Sequence, residues 1–484
     1  MAVDTAHERE QALRGLREAL GDAIVLDQEV RESFRTDFGR LVFRTPGAVA
    51  RCRDAAEVAQ VVRWCREHGV PLVGRGQGHT QTGQSTTDGG VLLDTSALRT
   101  LHEIDEEGLA VTCDGGVVWR DLVQALAPRG LVPPTLTNNL GVTVAGTLSV
   151  AGLGVASFRH GAQVDNALEL EVVTGAGEIV RCSPQENREL FDLVRSGLSQ
   201  FGIITRARLR LRRAKPRVRK HYLLYDDLGA LMRDVEHAMR PGNDVLHTVE
   251  SWCVPCFQGA RKIGEGMELG VGMQTFAEWF YPLHVTEELD PGEEPHDAEL
   301  LSRFTPYRKV HVEEFTQLEF CERLQPLFQL WERSGYAEMA HPWMETILPW
   351  DRAREYIEYV LSNLPPQALG PGGHILLWPS RGDTSTAPLF MHPGGAMVMG
   401  WGILPGVPER FLEQALAQLD MASELSLGYG AKRYLSGYVT FDSEERWAAH
   451  FGDRWPGMVA AKRRYDPDGI LAPGFITWPD DTPR

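Results

Sequence analysis

The sequence predicts an α+β protein of more than one domain. With 484 residues, the chain exceeds what one simple hydrophobic core organises. A strand, helix, strand pattern over residues 47–74 ends in a glycine-rich loop, and beyond Pro216 glycine thins out while tryptophan and other aromatics increase. In that later stretch strand-like runs alternate with helical ones such as residues 351–361.

A helix is expected between Asp54 and Gly69. Asp54 followed by Glu57 has the form of a capping box, Val58, Val61, Val62 and Cys65 recur at helical spacing, and Gly69 stands where a helix should stop. Residues 70–73 then read as a strand that delivers the chain into Gly74, Arg75, Gly76, Gln77, Gly78, His79 and Thr80, with Gly83 and Gln84 close behind. A second amphipathic helix is expected over 119–127, a hairpin over 167–174 and 179–182, and a further strand over 202–211. Residues 135–162 are rich in Gly, Thr, Ser and Ala, offer little that fills a core, and suit backbone lying against a ligand.

Composition excludes several function classes. The net charge of −17 would repel a phosphate backbone, and basic residues gather only over 206–220, where they alternate with apolar ones as in a strand, so nucleic acid is not an expected partner. The amino-terminal residues are charged and polar, and no stretch reaches the roughly 20 apolar residues of a membrane span, so a soluble cytoplasmic protein is expected, with no membrane partner. Seven cysteines do not form a disulfide framework. Cys253 and Cys256 imitate a thiol-redox pair, but the strand-helix unit such a site needs does not surround them, and no metal site is expected.

The glycine loop carries the chemistry. Three alternate glycines let successive backbone N–H groups converge on an anion with no side chain in the way. The spacing is not that of a Rossmann fingerprint, because the third glycine comes one residue early and residues 80–90 do not read as a helix. Taken alone, His79 also reads as an ordinary hydrogen-bonded loop histidine.

Several ordered blocks resemble a family. They are the loop through Gln84, then Asp88-Gly89-Gly90-Val91, Gly141-Val142-Thr143-Val144-Ala145-Gly146-Thr147-Leu148-Ser149, Phe158-Arg159-His160-Gly161-Ala162-Gln163 and Gln200-Phe201-Gly202-Ile203-Ile204-Thr205. Together they resemble the vanillyl-alcohol-oxidase (PCMH) type of FAD-binding domain found in cytokinin oxidase/dehydrogenases. The resemblance continues at His341-Pro342-Trp343, Tyr434-Leu435, His450-Phe451-Gly452, Tyr465-Asp466-Pro467 and Ile470-Leu471-Ala472-Pro473-Gly474.

It implies a two-part FAD-binding domain plus an α+β substrate-binding domain. The expected boundaries are a helical segment over 1–41, the FAD domain over 42–215, the substrate domain over 216–440 and a closing FAD-domain segment over 441–484. It further implies FAD bonded to His79, with Gly76, Gln77, Gly78, Thr80 and Gln84 along the flavin, Gly146, Thr147, Ser149 and Gly152 by the pyrophosphate, and Gly74, Arg75 and Val144 among the cofactor's contacts. Ile204 would lie by the adenine half, Tyr434 and Tyr438 by the ring system, and Gly202 and Phe475 among the cofactor's contacts.

The departures bear on substrate. Where the family has an aspartate that accepts the substrate's amine proton, this chain has Asn138, and an amide is no carboxylate base. Phe475 replaces a glutamine and Glu345 an asparagine. His160, Glu250, Glu268 and Glu345 are the alternative bases from their places near the implied pocket. The expected activity is hydride removal from a small organic substrate at a C–H next to N or O, with oxygen or another electron acceptor. The alternatives are a flavin-dependent oxidative cyclase or oxygenase, and a flavin-holding scaffold without turnover.

Overall fold

A computed structural model describes residues 6–255, 260–263, 266–269, 279–364, 366–370, 372–480 and 482. The helix Ala55–His68 forms where its punctuation places it. The Asp54 carboxylate accepts from Glu57 N at 2.9 Å, and Gly69 ends the helix at φ 61°. The expected box is displaced by one residue, since the Glu57 carboxylate accepts from Arg53 N at 2.9 Å. Val58, Val61, Val62 and Cys65 are buried on a four-stranded sheet in which Ala48–Ala50, Val91–Asp94 and Leu72–Arg75 run parallel.

The open edge of that sheet is completed from far along the chain. Leu72 N donates to Ile470 O at 2.8 Å and Leu72 O accepts from Ala472 N at 2.8 Å. This return is held by a buried ion pair, Lys462 Nζ to Asp466 at 2.8 Å. Lys462 also donates to Gln200 O at 3.1 Å, while Asp466 accepts from the amides of Ile470 and Leu471.

A second, five-stranded antiparallel sheet contains the hairpin Ala167–Val173 with Ile179–Cys182, and the strand Ile203–Arg210. The third sheet has eight strands, in the order Arg308–Thr316, Arg217–Tyr225, Trp279–Leu289, Thr248–Pro255, His374–Arg381, Met397–Leu404, Met344–Pro349 and Lys432–Arg433. One face buries Met344, Leu348, Ile375, Leu377, Met399 and Ile403 against the helices Leu228–Ala238, Trp350–Asn363 and Leu412–Gly428. Burial of such side chains contributes about 1.5–3 kcal/mol each before conformational entropy is set against it.

The stretch 135–162 does more than its composition implies. It contains the short helix Val144–Leu148, and Leu140, Val144, Leu148 and Ala151 enter a core. Among the described residues no helix is long and apolar enough to cross a membrane.

Candidate active site

The glycine loop is held from its outer side by a segment near the amino terminus. Gly78 O accepts from Phe38 N at 2.8 Å and Thr80 O from Gly39 N at 3.0 Å. The Asp37 carboxylate accepts from Thr80 Oγ1 at 2.8 Å and from Gly83 N at 2.7 Å. Burial pushes the Asp37 carboxyl up to about 6 against the opposing pull of these donors and Arg75. A Cβ at Gly76 would fall 2.2 Å from Thr143 Oγ1, and Gly78 sits at φ 65° with the Arg75 guanidinium where a Cβ would go, so only glycine fits either position. His79 stacks on Phe38 with ring centroids 4.3 Å apart, meets the edge of Trp343, and is pushed down to about 4 by burial. Its imidazole is therefore neutral at physiological pH. Phe38 stacks in turn on His341.

The loop opens into a cavity of about 530 Å³ shared with the eight-stranded sheet. Strand register places Glu345, Gly402 and Leu376 side by side, and next to them Ile347, Gly400 and Trp378. Alternation along each strand puts these residues on the cavity face, and all six line it. The glycines make room, since a Cβ at Gly400 would lie 2.8 Å from that of Trp378. Trp252, Trp331 and Trp343 complete a largely aromatic wall, while Trp401 points to the opposite face, against Tyr356.

Two polar features face this space. Burial pushes the Glu345 carboxyl up to about 7, only partly offset by Arg433, and among the described residues its carboxylate has no hydrogen-bond partner. Asn138 lines the cavity and its Oδ1 accepts from Arg323 Nη2 at 2.8 Å. Arg323 is held by Glu250 at 2.6 Å, and Lys220 reaches the same carboxylate at 3.3 Å.

The chain matches two family models, an FAD binding domain over residues 46–183 and "Cytokinin dehydrogenase 1, FAD and cytokinin binding" over 298–476. It is 33% identical to cytokinin dehydrogenase 6 of Oryza sativa subsp. japonica, covering 95% of this chain and 92% of that one. It is also 33% identical to an uncharacterized oxidoreductase, ORF5 in the fasciation locus of Rhodococcoides fascians, covering 91% and 95%. The chain belongs to the cytokinin dehydrogenase family of FAD-dependent oxidoreductases. The fold is shared with 6-hydroxy-D-nicotine oxidase from Arthrobacter nicotinovorans at a TM-score of 0.69 and 22% identity, over 92% of this chain and 95% of that one.

FAD, the cofactor of this family, fits the residues present. Besides Gly76 and Gly78, Gly152 at φ 75° leaves no space for a Cβ, which would lie 2.2 Å from Gln163 Oε1. Both polar ends of the buried Gln163 amide lack a protein partner. Leu198 and Ser199, at φ 55° and 58°, hold strained backbone against the same cavity. Gly74, Arg75, Gly76, Gln77, Gly78, His79, Thr80 and Gln84 line it, as do Gly146, Thr147, Ser149, Gly152, Ile204 and Tyr434. Tyr434 Oη accepts from Gly152 N at 3.0 Å, and Gln84 Nε2 donates to the carbonyls of Leu435 and Gly437, tying the family's amino- and carboxy-terminal blocks together.

Other residues implied by the family pattern lie elsewhere. Val144 is buried in the core behind the wall, and Gly202 allows close packing, since a Cβ there would be 2.4 Å from Val172 Cγ1. Tyr438 belongs to the core of the eight-stranded sheet, and Phe475 packs against Trp447 with centroids 5.4 Å apart. His160 ends the turn Ser157–His160 outside the cavity, where burial and the neighbouring Arg212 and Arg159 push it down to about 4. Burial alone would raise the Glu250 carboxyl, but Arg323, His284 and Lys220 hold it well below the ordinary range, so it is a locked counter-ion and no base. The side chain of Glu268 lies outside the described residues, as does Cys256. Burial holds the Cys253 thiol well above its ordinary range, which removes its nucleophilic form.

Asp37, Phe38 and Arg323 went unnoticed in the sequence. No motif surrounds them, and each reaches the site only through tertiary packing.

Proposed function

We propose that this enzyme oxidises a small planar organic substrate by hydride removal from a C–H bond next to N or O, with FAD joined covalently to His79. One observation carries the reading: a single cavity contains a neutral histidine beside the glycine loop and Glu345, a carboxyl poised at about 7 on the sheet. When bound, FAD supplies the two-electron acceptor. Gly76, Gln77, Gly78, Thr80 and Gln84 would hold its ring system, Gly146, Thr147, Ser149 and Gly152 its pyrophosphate, and Ile204 its adenine half. His79 offers an unprotonated ring nitrogen for the bond.

The aromatic wall orients a flat substrate and excludes water. Asn138 cannot accept a substrate proton, and Glu345, free of protein partners, takes the heteroatom proton as the C–H bond is oxidised. The substrate thereby loses two electrons and two protons, leaving an imine, aldehyde, ketone or new double bond. Oxygen or another small acceptor ends the cycle.

Acid precipitation tests the link. Yellow colour is expected to stay with the wild-type protein and to be washed from His79→Ala; colour released equally from both removes the bond. Anaerobic mixing with a panel of amines, alcohols and cytokinins tests the reaction, and decolourisation of the flavin is expected. A flavin-loaded protein that no compound in the panel decolourises overturns it.

A further inference from the structure

The orientation of one amide is fixed by its neighbour. Arg323 has only donors, so the atom of Asn138 that meets its Nη2 at 2.8 Å is the carbonyl oxygen, and the amide NH2 points the other way. Among the described residues no protein acceptor takes that NH2, and Asn138 lines the cavity. Arg323 cannot turn aside, because Glu250 accepts from its Nη2 at 2.6 Å and its Nε at 3.4 Å. The Glu250 carboxylate is buried, with Lys220 at 3.3 Å on its second oxygen. Two cations thus share the Glu250 carboxylate behind Asn138, and the direct donation from Arg323 to its carbonyl polarises the amide toward donation.

We propose that Asn138, fixed by Arg323 and Glu250, is a hydrogen-bond donor to the substrate, and that the substrate is a planar aromatic compound presenting an acceptor, an ether, carbonyl or phenolate oxygen, to that amide, apart from the heteroatom whose proton Glu345 takes. The inference deepens the reading of this cavity as the substrate site of a flavin oxidation and rests on it. The site then discriminates by polarity. A substrate N–H set against the Asn138 NH2 leaves two donors facing each other in a dry aromatic pocket, and such a mismatch is rejected far more strongly than one of size. An oxygen at the same place satisfies the amide.

Two probes of nearly the same shape separate these cases: 6-benzyloxypurine, with an acceptor oxygen at the linking atom, and 6-benzylaminopurine, with an N–H there. Binding to the flavin-loaded protein is followed by quenching of the tryptophans that line the cavity, without turnover. The wild type is expected to bind the oxygen compound at least about tenfold more tightly. In Asn138→Asp, which keeps the shape but replaces the donor by an acceptor, the order is expected to reverse. Equal binding or preference for the amine in the wild type, an unmoved preference in the variant, or binding of neither probe overturns the proposal. The wild-type comparison stands even if the variant fails to fold. The flavin's visible absorbance and its anaerobic decolourisation report separately on the underlying oxidation, so a failure of that reading is told apart from a failure of this one.

Discussion

The two sides of the cavity are built on opposite principles. The glycine loop and residues 143–152 present mostly backbone, and what matters there is the absence of side chains at Gly76, Gly78 and Gly152. The sheet presents side chains, with Glu345, Trp378 and Leu376 brought together by register among strands that are distant in sequence. A backbone site depends on spacing over a few residues and tolerates no added atom. A side-chain site tolerates exchange and can change its substrate while the cofactor side stays as it is. Asn138 and Glu345 both reach the cavity through their side chains, while the glycine loop reaches it through its backbone.

Breaking the backbone side should have the largest effect. Gly76→Val places a branched side chain where even a Cβ would fall 2.2 Å from Thr143 Oγ1, and complete loss of flavin absorbance is expected while the far-ultraviolet circular dichroism remains. On the sheet side, Glu345→Gln is expected to lower kcat/KM by about 10²–10⁴ without loss of flavin. In the wild type kcat/KM should rise as pH rises through about 7, since only the ionised carboxyl accepts a proton, and the variant should lose that limb.

The same group gives a stability signature. Its folded pKa lies above its ordinary value of 4.5, so between pH 4.5 and about 7 the folded protein holds a proton that the unfolded chain has released. Stability should therefore decline as pH rises through that window, and less so in Glu345→Gln, as denaturant melts at a series of pH values will show. The smallest expected effect lies outside both sides. Asp54→Ala removes the cap of the helix Ala55–His68 and should cost about 1 kcal/mol by chemical denaturation, with flavin retention unchanged.

What could be read in the sequence follows the same division. The helix Ala55–His68, the hairpin Ala167–Val173 with Ile179–Cys182, and the loop that follows Leu72–Arg75 are local, and caps, periodicity and glycine spacing announce them. Residues 135–162 were only half legible, because small residues suggest a ligand while Leu140, Val144 and Leu148 also fill a core. Tyr438, Phe475 and Gly202 show the limit of carrying a pattern across. Each lies in or beside a matching block, yet its own side chain or Cβ direction faces packing. Glu250 and His160 looked like bases by chemical type, but Arg323 and Lys220 lock the first and the second lies outside the cavity. Partners of this kind lie more than seventy residues apart for Glu250 and Arg323, beyond the reach of any local signal.

The pairing of Leu72 with Ile470 and Ala472 sets an order of events during synthesis. The glycine loop leaves the ribosome early, but the sheet from which it springs keeps a bare edge until residues 462–472 have followed and Lys462 has closed on Gln200. A nascent chain stalled before that point exposes an unpaired strand and an incomplete cradle, the form that chaperones retain and proteases remove. The sheet beneath the loop is therefore finished by residues made some four hundred positions after it.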